Sequence, residues 1–239
     1  MSGKVLKIRN WFPVYPCSVF FKTLLDFVYP PICYICNNRL TDSSEVICSP
    51  CWEALPRVKE NPLEINRPGL GDMYFHQSVA VWNFDAHFQS IIHLYKYQEY
   101  TKLARQIGKK MAEVISFAEE FNDADYLVPV PLHPARKRER GYNQSSLLCE
   151  QISKLLGIKV ADKFLRRIRH TKTQTHLNAM ERAKNVRQAF GLKNTGVFAE
   201  RKIILVDDVL TTGATMNACA RILIEAGASE VLVATAARV

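Results

Sequence analysis

The chain has 239 residues, enough for one medium domain and a small appendage. Hydrophobic residues make up 48%, which excludes wholesale disorder, and no apolar run approaches the ~20 residues of a membrane-spanning helix. The formal net charge of +9 favours polyanionic partners without choosing among phosphates, nucleotides, nucleic acid and an anionic membrane surface.

Residues 1–16 are basic and read as irregular. Residues 17–28 place Phe20, Leu24, Phe27 and Val28 on one helical stripe, expected to pack on the rest of the protein. Their polar face is too short and too poor in Lys and Arg for a membrane-surface helix. Lys22 and Asp26 interrupt the run and no small-residue cleavage site follows, so it does not read as a secretory leader. A cytoplasmic location and no membrane insertion are expected.

Seven cysteines follow an uneven pattern. Cys17, Cys149 and Cys219 stand alone, whereas Cys33-x-x-Cys36 and Cys48-x-x-Cys51 are paired across eleven residues. An odd count with this spacing fits metal ligation in a reducing compartment better than a disulfide framework. Two C-x-x-C turns supply four thiolates, the closed tetrahedral set of structural Zn²⁺; incidental buried cysteines or redox pairs are the alternative. The segment between the pairs is polar and is expected to build no core, so that the metal supplies the folding energy. No ligand position is left for water, which argues for a structural or partner-docking role rather than a catalytic one.

Residues 56–72 hold three prolines and two glycines and read as a linker. Beyond it strands and helices alternate. Strands are expected at 79–84, 126–130, 203–206 and 231–236, and helices over 91–118, 144–156 and 215–225. Alternation of this kind predicts an α/β domain with a mostly parallel sheet.

The sharpest motif is IILVDDVLTTGAT, residues 203–215. An apolar strand ends in Asp207 and Asp208, and a loop of Thr211, Thr212, Gly213, Ala214 and Thr215 leads into a helix. Backbone N–H groups at a helix start face an anion, Gly213 permits close approach, and three threonine hydroxyls can donate to phosphate oxygens. The two carboxylates can accept hydrogen bonds from two sugar hydroxyls. A plain strand–turn–helix is the bland alternative. A Walker-type loop is excluded, because Gly-Lys-Ser/Thr is absent.

This stretch resembles the phosphoribosyl pyrophosphate motif of type I phosphoribosyltransferases. VPVPLHPARKRERGYNQS (128–145) and RHTKTQTHLNAMERAKNVRQAF (169–190) narrow the resemblance to the ComF family, the competence protein F and gluconate-utilisation group, in which a zinc ribbon also lies upstream. The resemblance covers residues 29–239. It implies a type I phosphoribosyltransferase fold behind a small zinc ribbon, arranged as an extension (1–28), a zinc ribbon (29–55), a linker (56–75) and a phosphoribosyltransferase-like domain (76–239). It implies that the turn Leu132–Arg136 is the pyrophosphate loop, with Arg136, Lys137, Arg138 and Arg140 near the diphosphate. It also implies that 169–182 is a lid carrying Thr171, Gln174 and Arg182 as further contacts. His133 and His170 are expected to be loop histidines rather than acid–base residues.

The resemblance implies binding of phosphoribosyl pyrophosphate with Mg²⁺, and displacement of pyrophosphate at C1 of the ribose by a nitrogen acceptor that the sequence does not name. In this chemistry Asp207 and Asp208 act as the catalytic pair that holds the ribose. The alternative is a non-enzymatic competence factor in DNA uptake, binding single-stranded DNA, a DNA-uptake helicase or another partner protein. The basic loops 135–140 and 163–172 would serve that role, with Tyr142 and Phe164 the nearest aromatics.

Overall fold

The computed structural model describes residues 30–60, 63–64, 73–97, 101–168, 189–193 and 196–239. The expected helix over 17–28 and the lid candidates His170, Thr171, Gln174 and Arg182 lie outside the described residues. The chain divides into two compact units, residues 1–48 and 49–239.

In the first unit the chain reverses tightly around the first cysteine pair. Ile32 and Arg39 form an antiparallel bridge. Inside it the Asn37 N–H donates to the Cys33 carbonyl at 2.9 Å, and the Cys33 N–H to the Asn38 carbonyl at 2.8 Å. Asn37 takes a left-handed conformation at φ 58°, which asparagine tolerates better than most residues. The polar segment that follows contributes more than expected: Leu40, Val46 and Ile47 are buried. Three apolar side chains set among polar ones carry no period for sequence reasoning to detect.

The second unit opens with a short helix, α1 (Ser49–Ala54). Its Trp52 stacks on Trp82 with ring centroids 4.9 Å apart. Strands β1 (Leu63–Glu64), β2 (Gln77–Asn83), β3 (Tyr126–Pro129), β4 (Lys159–Val160), β7 (Lys202–Leu210) and β8 (Glu230–Arg238) form one sheet in the order β1-β2-β8-β7-β3-β4. Among the described strands of this sheet only β1 runs antiparallel to its neighbour. In the centre Ile203 pairs with Tyr126 on one side and Val231 on the other. Ile203 to Val206 and Val231 to Ala234 are buried without alternation, as in a parallel sheet covered on both faces.

Helices α2 (Ala86–Tyr97), α3 (Leu103–Phe117), α5 (Gln144–Leu156) and α6 (Ala214–Glu225) flank the sheet. The single helix expected over 91–118 is two, each with its own apolar stripe: Phe88, Ile91, Ile92, Leu94 and Tyr95, then Leu103, Ala104, Ile107, Met111 and Ile115. The two stripes are close enough in phase to read as one in the sequence. Gly108 lets α3 approach α5, because a Cβ there would lie 2.6 Å from Cβ of Gln151. A two-stranded antiparallel ribbon, β5 (Leu165–Arg167) with β6 (Phe190–Leu192), stands apart from the main sheet. Its strands are the roots of segment 169–188.

The basic run expected to lie in loops is a helix, α4 (Pro134–Arg140). Pro134 occupies the first turn, and the His133 ring accepts a hydrogen bond from the Ala135 N–H at 3.2 Å. Gly141 ends the helix at φ 83°. Lys137, Arg138 and Arg140 sit in its last turn, where cations complement the helix dipole. His133 is thus a helix cap, a structural job for a residue expected not to be catalytic. Among the described residues no helix is long and apolar enough to cross a membrane.

Candidate metal and sugar-phosphate sites

The sulfur atoms of Cys33, Cys36, Cys48 and Cys51 all lie within 4.8 Å of one another. A tetrahedron with zinc–sulfur bonds of about 2.3 Å has edges of about 3.8 Å. The Cys36 and Cys48 sulfurs are 3.7 Å apart. Four thiolates at this spacing suit structural zinc and leave no open position. Burial pushes the Cys33 thiol up, but backbone N–H groups of Cys36, Cys48 and Ile35 outweigh it and bring it down to about 6. The Cys48 N–H reaches the Cys33 sulfur at 3.4 Å. Such bonds favour the thiolate, the form that binds metal.

The second site lies at the carboxyl end of the central strands. Strand β7 does not stop at the acidic pair, as the sequence suggested, but continues to Leu210. Asp207 pairs with Thr235 and Val209 with Ala237, because β8 is long enough to carry the ladder past the carboxylates. Asp207 accepts a hydrogen bond from the Ser145 hydroxyl of α5 at 2.7 Å and another from the Asp208 N–H at 2.9 Å. Asp208 is buried, accepts from the Val209 N–H at 3.0 Å, and forms an ion pair with Lys96 of α2. Loss of water and the negative charge of Asp208 push the Asp207 carboxyl up to about 7, against the pull of Lys96 and Ser145. Two adjacent acids held this way are poised to accept hydrogen bonds from a polyol.

After Leu210, Thr211 and Thr212 are exposed and Gly213 turns at φ 81°, a left-handed conformation that favours glycine. The Thr212 hydroxyl accepts from the Ala214 N–H at 3.4 Å. Helix α6 begins at Ala214, with Thr215 half-buried in its first turn. Thr211, Thr212, Gly213, Ala214 and Thr215 therefore stand together at a helix N-terminus, a few residues along from the acidic pair.

Three groups that sequence reasoning did not place at the sugar-phosphate site join it. Lys96 comes from α2, more than a hundred positions away. Ser145 lies in the quoted segment 128–145, where its hydroxyl gave no separate signal. Arg167 is held below its usual range first by burial and then by Arg136, while Asp207 opposes the shift. Its guanidinium lies 5.4 Å from the centre of the Phe190 ring of the same ribbon, and it is near enough to Asp207 to feel that carboxylate's charge. Of the arginines expected at a diphosphate, Arg136 is exposed, whereas Arg140 donates to the Gln144 side chain at 2.6 Å. Tyr95 and Tyr142 tie the same elements together. The Tyr95 hydroxyl donates to the Gln144 carbonyl at 2.7 Å, and the Tyr142 hydroxyl donates to the Tyr95 carbonyl.

Comparison with known proteins finds matches over most of the chain. Residues 143–239 match the phosphoribosyl transferase domain model, and residues 24–63 match the double zinc ribbon domain model. Competence protein F of Haemophilus influenzae is 34% identical over 84% of this chain and 94% of its own length. The DNA utilization protein YhgH of Escherichia coli K12 is 30% identical over 84% of this chain and 88% of its own. Competence protein ComFC of Bacillus subtilis is 27% identical over 82% of this chain and 79% of its own. The chain belongs to the competence protein F (ComF) family and joins a zinc ribbon to a type I phosphoribosyltransferase fold.

Proposed function

We propose that the larger unit binds phosphoribosyl pyrophosphate together with Mg²⁺, and that this sugar is activated for transfer to a nitrogen acceptor. The observation that carries the reading is the acidic pair Asp207–Asp208 beside the left-handed turn at Gly213 and the start of α6. The carboxylates take the ribose hydroxyls. The Thr211–Thr215 backbone and hydroxyls take the 5-phosphate. Arg136, Arg140 and Arg167 supply positive charge for the diphosphate, with which Mg²⁺ arrives as part of the substrate. In transfer the C1–O bond to pyrophosphate breaks and a C1–N bond forms. Pyrophosphate leaves with the bonding pair, and the acceptor nitrogen loses its proton. Positioning and electrostatics, rather than covalent catalysis, would supply the rate.

Ligand-linked melting tests this reading. Phosphoribosyl pyrophosphate with Mg²⁺ should raise the melting temperature of the zinc-loaded protein, and Asp208→Asn should erase the rise. An unchanged melting temperature in the parent would set the reading aside.

A second reading, a role in DNA uptake through single-stranded DNA or a partner protein, is favoured by one observation. Helix α4 buries none of its residues and exposes Arg136, Lys137 and Arg138. The names of the relatives, competence protein F, DNA utilization protein YhgH and competence protein ComFC, point the same way. Under this reading affinity for single-stranded DNA falls with salt, and each of Arg136→Ala, Lys137→Ala and Arg138→Ala that removes a phosphate contact lowers the log–log slope by about 0.7. A slope unchanged in all three variants would remove α4 from the interface.

A further inference from the structure

Next along the chain from Lys96, which pairs with Asp208, stands an aromatic group that the ribose and phosphate contacts leave unused. Tyr97 closes α2 and is 58% exposed, although Leu94 and Tyr95 just before it are fully buried. Its ring is nevertheless held. The Arg140 guanidinium lies 5.0 Å from the ring centre, and the His93 ring, one helical turn back, lies 5.0 Å away at a tilt of 39°.

Both anchors of this group lead to the carboxylates. Lys96, the residue before Tyr97, pairs with Asp208. Arg140 is fixed by Gln144, and the next residue, Ser145, donates to Asp207. An aromatic face backed by a guanidinium is therefore mounted one residue from each contact to the groups proposed to hold the ribose. A flat, exposed ring with a cation stacked against it is the arrangement on which nucleic-acid bases stack. A pair serving only to fasten α2 to α4 could do so with the ring covered.

We propose that Tyr97, with Arg140 and His93, is a stacking platform for a nucleobase at the mouth of the sugar site. The choice of a nucleobase over other flat rings rests on the reading that Asp207 and Asp208 hold a ribose. The base has two possible sources, a free base or nucleoside and a base in single-stranded DNA, which share one recognition chemistry.

The test uses the fluorescent base 2-aminopurine, whose emission is quenched on stacking. Full-length zinc-loaded protein is titrated with 2-aminopurine riboside, and separately with a short single strand carrying one 2-aminopurine. Saturable quenching is expected, with the riboside if the source is a free nucleoside and with the strand alone if it is DNA. Tyr97→Ala should weaken the quenching interaction about tenfold, and Tyr97→Phe, which keeps the ring, should restore it. The exposure of Tyr97 leaves both variants able to fold, which zinc content and circular dichroism verify. No quenching by either probe in the parent, or equal quenching in Tyr97→Ala, overturns the proposal. The assay contains no phosphoribosyl pyrophosphate, so failure of sugar binding and failure of the platform are read separately.

Discussion

Asp207→Asn should stabilise the folded protein, and by more at pH 8 than at pH 5. The Asp207 carboxyl stands at about 7 in the folded protein against an ordinary value of 3.8. Between those values the folded chain keeps a proton that the unfolded chain has released. Stability therefore falls as pH rises through this window, the reverse of the behaviour of a salt-bridged carboxylate. One full proton corresponds to about 1.4 kcal/mol per pH unit. Asp207 is only partly buried, and with that screening the advantage of the asparagine variant should grow by about 1–2 kcal/mol from pH 5 to pH 7. It should level off above pH 7. The assay is urea unfolding of parent and variant across pH, followed by the emission of Trp52 and Trp82, which are buried and stacked on one another. Histidines and the cysteine cluster are the same in both proteins, so their titrations cancel in the difference. A difference that is flat with pH, or that shrinks as pH rises, would refute the reasoning. A side chain whose charged form costs stability is what a binding site, rather than a scaffold, retains.

Lys96→Met strips Asp208 of its cation and should cost about 2–3 kcal/mol at pH 8, somewhat less than a fully buried pair. Urea unfolding would show it, and a loss too small to measure would remove Lys96 from the site. Cys36→Ser opens the thiolate set, so metal analysis should fall from one zinc per chain to a small fraction of that; full retention would contradict four-cysteine ligation. Gly213→Ala places a Cβ at φ 81°, where Cζ of Phe75 is an ordinary 3.7 Å away, so the cost is backbone strain. That strain is about 1–2 kcal/mol and should appear as a lower melting temperature.

The parts of this architecture that are local were legible. The two C-x-x-C pairs and the run from Ile203 to Thr215 each place their chemistry within a few residues, so spacing alone identifies them. Helix α5 runs from Gln144 to Leu156 as read, because Asn143 caps its start and Gly157 turns its end at φ 75°. What escaped depends on contacts across the chain. Lys96 looks like the polar edge of a helical stripe until α2 is seen to end beside β7. Tyr97 is more than forty positions from Arg140, whereas the aromatics nearest the basic runs in the sequence are Tyr142 and Phe164. The basic run itself reads as loop by composition, yet the His133 cap, Pro134 and Gly141 make it a helix.

The central claim is that the acidic pair and its loop form a working sugar-diphosphate site. Calorimetric titration of the zinc-loaded protein with phosphoribosyl pyrophosphate and Mg²⁺, beside the double variant Asp207→Asn and Asp208→Asn, tests it most directly. The account predicts saturable binding in the parent, and at least about hundredfold weaker binding in a folded double variant that has lost two charge-assisted hydrogen bonds to the ribose. A folded parent that releases no heat of binding, or a double variant that binds as well as the parent, would contradict it.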